Sequence, residues 1–247
     1  AVMGRLVEQD PNDPPASELL KEIESEKQRL VKASKIKQPK PLPPIKPEEV
    51  PHELPQGWEW VRLDAVTSKI TDGDHKTPPR ISEGQRLLSA KNVRDGYLDF
   101  ENCDFISEQH YQKSRERCLP ETGDLLIVSV GGTIGRTSLV PQDSDFALVR
   151  SVALIKPLLL NSQYLKYAMD SELLQVSIRG RKRGGAQPCL YLSEIQLFPF
   201  SLPPLPEQHR IVARIDQLMA RCDELDEQID AATGKQIELL GAVMAEA

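Results

Sequence analysis

The feature that most constrains this chain is a heptad repeat near its C-terminal end. Apolar side chains recur there with alternating spacings of four and three residues, at Ile211, Ile215, Leu218, Cys222, Leu225, Ile229 and Ala232. Acidic residues fill the other faces. This spacing is typical of the a and d positions of a helix that packs lengthwise against another helix. The first six of these residues are therefore our predicted helix-pairing positions.

The repeat lies in a segment, residues 205–247, that is too long for the rest of the chain to cover. After an interruption at Gly234, the residues Ile237, Leu240 and Met244 resume the pattern in a shifted phase. At about 1.5 Å per residue, a helix over this segment would be roughly 60 Å long. We therefore expect part of its apolar stripe to be covered by a partner helix.

The charge distribution separates the ends of the chain from its middle. A net charge of -6 argues by itself against nucleic-acid binding, because domains that bind nucleic acids are usually basic. Residues 1–59 carry -2, residues 60–200 carry +1 and residues 201–247 carry -5. The acidity thus belongs to the two ends, and the middle segment is close to neutral.

Proline content and hydrophobic periodicity divide the chain into four segments. Residues 1–38 form an N-terminal helical segment, and residues 39–57 hold seven prolines, which favour an extended, semi-rigid linker. Residues 58–204 alternate short apolar runs with turn-forming residues, and residues 205–247 form the long heptad helix. The predicted fold class is α+β: a compact, β-rich mixed α/β domain followed by a long coiled-coil-forming helix.

Local patterns within residues 58–204 predict the main elements. Residues 58–63, 125–130 and 151–155 are typical of strands, and residues 162–177 have helical spacing. The glycine-rich stretch 131–135 matches neither the dinucleotide-binding pattern nor the P-loop. We interpret it as a tight turn at which the backbone must approach something closely.

No combination of residues in the sequence indicates an active site. The four histidines lack metal-binding spacing and nucleophile motifs, and the four cysteines form no C-x-x-C pair. We therefore predict a non-catalytic chain with no metal and no cofactor of its own. The sequence also lacks a membrane-spanning apolar run and a recognisable signal peptide, so we expect a cytoplasmic protein without membrane association.

Cations and amides gather instead on loops around residues 72–79, 91–94, 129–136 and 179–187. Arg and Lys can contact phosphates or guanine edges, and Asn or Gln can pair with adenine. Each loop alone has a plain alternative, either a solvated charge run or an ordinary turn. Together they predict DNA contacts, with amides as the adenine candidates, from Asp74, His75, Lys76, Thr77, Lys91, Asn92, Arg94, Ser129, Thr133, Arg136, Arg179, Arg181, Lys182, Arg183 and Gln187.

Six short sequence motifs are distributed along the chain. They are LPQGWEW at 54–60, DGDHKTP at 72–78, SAKNVRDG at 89–96, GDLL at 123–126, GTIGR at 132–136 and LPPLPEQHRIV at 202–212. The last motif, a strand end that runs into a long helix, is highly specific. With these motifs the sequence resembles the specificity subunits of type I restriction-modification systems over essentially its full length.

The resemblance implies a non-catalytic subunit of a methyltransferase and endonuclease complex. Subunits of this family contain two repeats, each with a target recognition domain that reads one half of a bipartite double-stranded DNA site. The conserved long helices pair antiparallel, fix the distance between half-sites and bind the methyltransferase subunits. Those subunits carry S-adenosylmethionine and the chemistry, and the complex can recruit the restriction subunit.

The chain contains one recognition domain where the family has two. Residues 1–7 resemble the continuation of a conserved helix, and residues 242–244 repeat the first three of them. We therefore expect a half-subunit or a C-terminal half that pairs through the heptad helix, as a homodimer or with a second half. The alternative hypothesis is an assembly module that reads no DNA and docks a protein partner through this helix. An enzyme is the least supported interpretation.

Overall fold

The computed structural model describes residues 1–183 and 188–245, apart from the side chains of residues 239–243 and 245. The helices are α1 (Ala16–Lys32), α2 (Glu108–Arg117), α3 (Ser162–Asp170), α4 (Glu172–Arg181), α5 (Leu192–Gln196) and α6 (Leu205–Ala245). The strands are β1 (Glu59–Arg62), β2 (Thr67–Asp72), β3 (Gln85–Leu88), β4 (Asp104–Ile106), β5 (Leu125–Val128), β6 (Thr137–Leu139), β7 (Ala147–Leu148), β8 (Val152–Pro157) and β9 (Pro199–Leu202).

The centre of the domain is an antiparallel four-stranded sheet with the strand order β2-β8-β5-β6. Its two middle strands are the apolar runs that the sequence predicts as strands. All four residues of β5 are buried, because both faces of the sheet are covered. A sheet covered on both faces requires nearly continuous apolar strands, which explains the sequence pattern.

Successive side chains of β5 and β8 point into two different cores, as the period of a strand requires. Odd-numbered residues of these strands pack with α1, α3, α4 and the start of α6 in the larger core. Even-numbered residues pack with β3, β7 and Phe146 in the smaller core. The strand β3 lies between β4 and β7 in a second sheet, and a separate β1-β9 pair leads into α6.

The N-terminal helix and the proline-rich segment both lie against the domain. Ala16, Leu19 and Ile23 of α1 are buried in the larger core, so one face of this helix packs against the domain. Arg62 donates hydrogen bonds to the carbonyl oxygens of Pro43 and Pro44, which an extended proline-rich backbone leaves unpaired. The proline-rich segment is therefore bound along the domain surface.

The helix α6 has 41 residues and a length of roughly 60 Å, as the heptad repeat predicts. Ile211 is buried in the larger core, and Ile215 packs partly against it. Further along, Leu218, Leu225 and Ile229 are 36%, 56% and 60% exposed. The second part of the apolar stripe is thus uncovered. None of the helices within the described residues has the length and apolar character needed to cross a bilayer.

Two local predictions are wrong in detail. The helical pattern over 162–177 is divided into α3 and α4, because Ser171 adopts an extended conformation between them. The cations at Arg179 and Arg181 belong to the last turn of α4, whereas the sequence suggests a glycine-flanked loop. The domain boundaries that we predict from composition remain predictions.

Candidate nucleic-acid interface

Several loops meet at one end of the central sheet. Because β2 and β5 run antiparallel to β8, the ends of β2 and β5 lie beside the start of β8. The strand β6 starts at this end as well. We use the term loop edge for this end of the sheet, which comprises residues 72–77, 94–97, 117, 129–136, 149–151, 182–183 and 188–191.

Backbone hydrogen bonds fasten the segment after α4 to the loop edge. Arg183 and Cys189 exchange two hydrogen bonds of 2.8 and 2.7 Å. The amide of Leu190 donates to the carbonyl oxygen of Ser129 at 2.8 Å, and that of Gly131 donates to Pro188 at 3.0 Å. The fourth predicted loop (179–187) therefore joins the third (129–136). Gln187, one of the two predicted adenine candidates, lies outside the described residues.

A cluster of charged groups lies where β2 ends. A terminal nitrogen of Arg117 is 2.5 Å from a carboxylate oxygen of Asp72 and 2.9 Å from Nε2 of His75. The other oxygen of Asp72 is 3.0 Å from the same His75 nitrogen. Arg150 and Tyr191 are exposed and line the same cleft. The cleft thus presents cations and an aromatic ring together to solvent.

A second cleft contains the glycine turn between β5 and β6. Arg136 pairs with Asp95 at 3.1 Å, which brings the 94–97 turn to the loop edge. Thr133 is exposed at the tip of the turn. Gly135 has φ +98°, and a Cβ there would lie 2.8 Å from Oε1 of Gln175. At Gly135, therefore, the backbone of the turn lies close to α4.

The first predicted loop is partly anchored and partly free. Asp74 accepts a hydrogen bond from the hydroxyl of Ser114, and its backbone amide donates to Leu148 at 2.8 Å. Lys76 and Thr77 are exposed beside a cleft that His110 and Lys113 also line. Asp74 consequently supports the loop, while Lys76 and Thr77 are accessible to a ligand.

Two predicted contact residues are buried, which corrects the prediction for them. Asn92 has 0% exposure, and its amide nitrogen donates to the carbonyl oxygens of Asp99 and Asn102 at 2.9 and 3.2 Å. Its amide oxygen accepts from the Ser89 amide at 3.0 Å, so Asn92 cannot reach an adenine. Ser129 is 3% exposed, and its hydroxyl donates to the Arg150 carbonyl.

The other predicted cations near Asn92 differ in position. Lys91 pairs with Asp104 at 3.2 Å, at the start of β4 in the second sheet. Arg94 lies 3.5 Å from Asp99, next to the turn that Arg136 contacts. Hydrogen bonds from Asn102, with a smaller contribution from Arg94, lower the pKa of Asp99 below its usual range. Arg94 therefore belongs to the loop edge, and Lys91 does not.

The four cations at the end of α4 also differ in what their side chains contact. Arg179 pairs with Glu172 on the same helix. Arg181 donates to Glu49 at 3.1 Å and lies over the Phe198 ring, so it contributes to the packing of the domain. Lys182 is half-buried, and the side chain of Arg183 is 65% exposed, 3.6 Å from Glu194. The last two of these cations are the ones at the loop edge.

Three residues of the loop edge escape the sequence analysis, namely Arg117, Arg150 and Tyr191. Arg117 ends a helix that no pattern connects to β2, and Tyr191 follows the basic stretch without a motif of its own. Arg150 directly precedes the predicted strand at 151–155. An arginine at the start of a strand that shares an edge with two loop-bearing strands is the signal that could have identified it.

Comparison with known proteins assigns the family. A model of the family described as the type I restriction modification DNA specificity domain matches residues 80–232, more than half of the chain. The chain belongs to this family. The resemblance predicted from the motifs at 54–60 through 202–212 is therefore confirmed.

Relatives in this family cover the chain almost completely. The specificity subunits of the type I restriction enzymes EcoAI and EcoEI of Escherichia coli are 35% and 30% identical to it, each over 98% of the chain. The matched part is 42% of each relative, so the chain spans less than half the length of the curated relatives it matches. Both relatives are specificity subunits.

A solved structure shares the fold. The crystal structure of the HsdS subunit from Thermoanaerobacter tengcongensis matches 85% of this chain and 46% of its own chain, with a TM-score of 0.51 and 23% identity. The predicted α+β class, with a mixed α/β domain and a long C-terminal helix, is thereby confirmed.

Proposed function

We propose that this chain is a non-catalytic DNA specificity subunit of a type I restriction-modification complex, and that its loop edge reads one half of a bipartite double-stranded DNA site. The observation that carries the proposal is the meeting of cationic and polar loops at one end of the central sheet. Base readout in a groove needs side chains from several backbone segments at one surface. Membership of the DNA specificity family supports this role.

The side chains at the loop edge suit both parts of DNA recognition. Arg117, Arg150 and Arg183 can contact phosphates or the acceptor edge of guanine. Tyr191 offers an apolar surface for a thymine methyl group, and Thr133 offers a hydroxyl that can donate or accept. The carboxylates that now pair with some of these cations hold them only weakly, because exposed ion pairs contribute little.

The proposal extends to partners of the chain. Methyltransferase subunits would supply S-adenosylmethionine and the methyl-transfer chemistry, and a restriction subunit would supply cleavage. The chain itself would need no cofactor and would act in the cytoplasm, where these subunits meet chromosomal DNA. The acidic faces of α6 suit contacts with protein better than contacts with DNA.

Pairing through α6 is the part of the proposal that concerns assembly. Leu218, Cys222, Leu225 and Ile229 are exposed along one stripe, which a second copy or a second half of similar sequence would cover. The double variant Leu218→Asp/Leu225→Asp should shift the mass measured by light scattering from dimer to monomer. The same mass for wild type and variant would contradict pairing through this stripe.

A gel-shift titration with the purified methyltransferase subunit tests DNA reading. We expect Lys182→Ala/Arg183→Ala and Arg150→Ala each to weaken binding about tenfold, and to reduce the slope of log affinity against log salt by about 1 for each lost phosphate contact. Arg179→Ala is the matched control, because Arg179 pairs within α4. Unchanged affinity and slope in both loop-edge variants would contradict the proposal.

Exchange of residues 58–204 with the matching part of the EcoAI specificity subunit tests specificity itself. The methylated sequence should change to that of the donor in one half of the site, as read by genome-wide mapping of methylated adenines. An unchanged methylated sequence would favour the assembly-module alternative, which no observation in the fold or the comparisons favours at present.

A further inference from the structure

The base of α6 is fastened to the domain by a buried carboxylate. Glu207 is 1% exposed, and its two oxygens accept hydrogen bonds from Nε1 of Trp58 at 2.8 Å and from Nε2 of Gln9 at 2.6 Å. Burial raises the pKa of Glu207, and the two donors partly offset that effect. Gln9 precedes α1 and lies in the N-terminal segment (residues 2–13), which packs against the larger core through Val2, Leu6 and Val7.

The N-terminal segment also forms an ion pair with the next turn of α6. Arg210 reaches both oxygens of Asp13, at 2.6 and 3.3 Å, and the side chain of Asp13 is only 9% exposed. Bidentate contacts of this kind fix orientation as well as distance. Gly4, with φ +67°, lies so close to Pro55 that a Cβ would be 2.1 Å from its Cγ. The N-terminal segment is thus pressed against the domain as it crosses to α6.

Other contacts hold α6 from a different direction. The Asn161 amide, just before α3, donates to Oε1 of Gln208 at 3.0 Å. The hydroxyl of Tyr167 in α3 donates to Asp216. At about 100° per residue, the contacted positions 207, 208, 210 and 216 spread over about two thirds of the helix circumference. A helix held around most of its circumference resists tilting in any direction.

We propose that the N-terminal segment fixes the direction in which α6 leaves the domain, with Gln9 and Asp13 as positioning residues. Residues 217–245 extend about 43 Å beyond the last of these contacts at 1.5 Å per residue. A tilt of about 10° would move the far end by about 7 Å, or two base-pair steps of about 3.4 Å. If α6 separates two DNA-reading domains, as the proposed function holds, these residues determine which half-site spacing is accepted.

A distance measurement tests the mechanical part without DNA. Nitroxide labels are placed on cysteines introduced by Glu227→Cys, on the exposed face of α6 opposite the heptad stripe, and by Glu101→Cys. The full chain then carries Cys103→Ser, Cys189→Ser and Cys222→Ser. Burial raises the pKa of the Cys118 thiol to about 12, so it stays unlabelled. Dilution with unlabelled chain isolates distances within one copy. Pulsed electron paramagnetic resonance then reports the distance distribution.

We expect a narrow distribution for the parent protein and at least a doubling of its width in Gln9→Ala/Asp13→Ala. Two matched controls should keep the narrow width: Asp10→Ala, because the Asp10 side chain accepts hydrogen bonds from Asn12, and Arg214→Ala, because the Arg214 side chain donates to Gln217 within α6. Arg210→Ala should broaden the distribution as the double variant does. Equal widths in all proteins would overturn the proposal.

The DNA arm uses Gln9→Ala/Asp13→Ala and its controls, without labels and without the cysteine substitutions, together with the methyltransferase subunit. Affinity for a single half-site should stay within about twofold of wild type, because the loop edge is untouched. The preference for one spacing over spacings one or two base pairs longer should fall about tenfold. A broadened distance distribution with unchanged spacing preference would overturn the role in spacing. Absence of DNA binding by the parent protein would contradict the proposed function, while the distance measurement would still decide the role of the segment.

Discussion

Charged side chains occupy two contrasting settings in this protein, the loop edge and the interior around Arg62. At the loop edge, Arg117 and Arg136 pair with carboxylates across the surface, with 46% and 32% of their side chains exposed. Arg62 is 6% exposed and donates to both oxygens of Glu49 and to three carbonyl oxygens. Arginine therefore serves two purposes within one domain.

The contrast teaches which charges are available to a ligand. An exposed ion pair contributes about 0–1 kcal/mol, so an incoming phosphate can replace its carboxylate at little cost. Removal of one partner from a buried pair costs about 3–5 kcal/mol, because the other charge is left uncompensated. Surface ion pairs keep the loop-edge cations ordered but leave them available to a ligand. The Arg62–Glu49 pair instead holds the proline-rich segment against the domain.

The largest expected effect is that of Arg62→Ala. This change leaves Glu49 and three backbone carbonyls without their donor, and we expect the free energy of unfolding to fall by about 3–5 kcal/mol. Urea denaturation measures it. Arg136→Ala is the matched control and should change the free energy of unfolding by less than about 1 kcal/mol. Equal effects of the two variants would remove the distinction between the two settings.

The next effect concerns Asn92, which the sequence places at the DNA and the structure places inside. Asn92→Ala removes one buried donor group and one buried acceptor from three backbone partners, so the free energy of unfolding should fall by about 1–3 kcal/mol. The methylated sequence should not change. Thr133→Ala should show the reverse pattern, with unchanged stability. A changed base preference in Asn92→Ala would return this residue to the interface.

The stability contributed by the Arg62–Glu49 pair should depend on pH in the acid range. Hydrogen bonding by Arg62 lowers the pKa of Glu49 from 4.5 to about 2. The stabilisation by this carboxylate is therefore complete above pH 4.5 and disappears as the pH falls toward 2. The difference in unfolding free energy between wild type and Glu49→Gln should shrink over that interval. A difference independent of pH would show that the carboxylate is not the stabilising group.

The smallest effect on stability is expected at the loop edge. Arg117→Ala should change the free energy of unfolding by less than about 1 kcal/mol, because the Arg117 side chain is 46% exposed and Asp72 keeps its contact with His75. DNA binding should nevertheless weaken, and the salt slope should fall by about 1. Calorimetry and a gel-shift series at several salt concentrations give the two quantities. A large loss of stability would assign Arg117 to the fold.

Hydrophobic periodicity predicts the helices and strands whose apolar residues follow a regular pattern. The heptad stripe predicted α6 over the correct length, and continuous apolar runs predicted β5 and β8 at the centre of the sheet. Residues 162–177 show the limit of this signal, since Ser171 interrupts the helix while the apolar spacing continues through it. The interruption of a helix is not visible in the apolar spacing when the helices on both sides of it pack on the same core.

The candidate site was less predictable, because it depends on contacts between distant segments. Asn92 is buried because carbonyl groups from residues 99 and 102 fold back onto it, which its own neighbours do not reveal. Arg117 reaches the loop edge only through the packing of α2 beside β2. The loops carrying Lys76, Thr133 and Arg183 were identified from turn chemistry and charge, and their roles remain predictions.

The burial of the central sheet on both faces has an evolutionary consequence. Most of the apolar contacts that stabilise the domain lie between its strands and helices, while the loop edge contributes few of them. Substitutions at exposed loop-edge positions therefore leave the core intact, as surface changes usually do. A lineage could acquire a new target sequence by exchanging a handful of exposed side chains. Selection could thus diversify recognition rapidly while it preserves the scaffold.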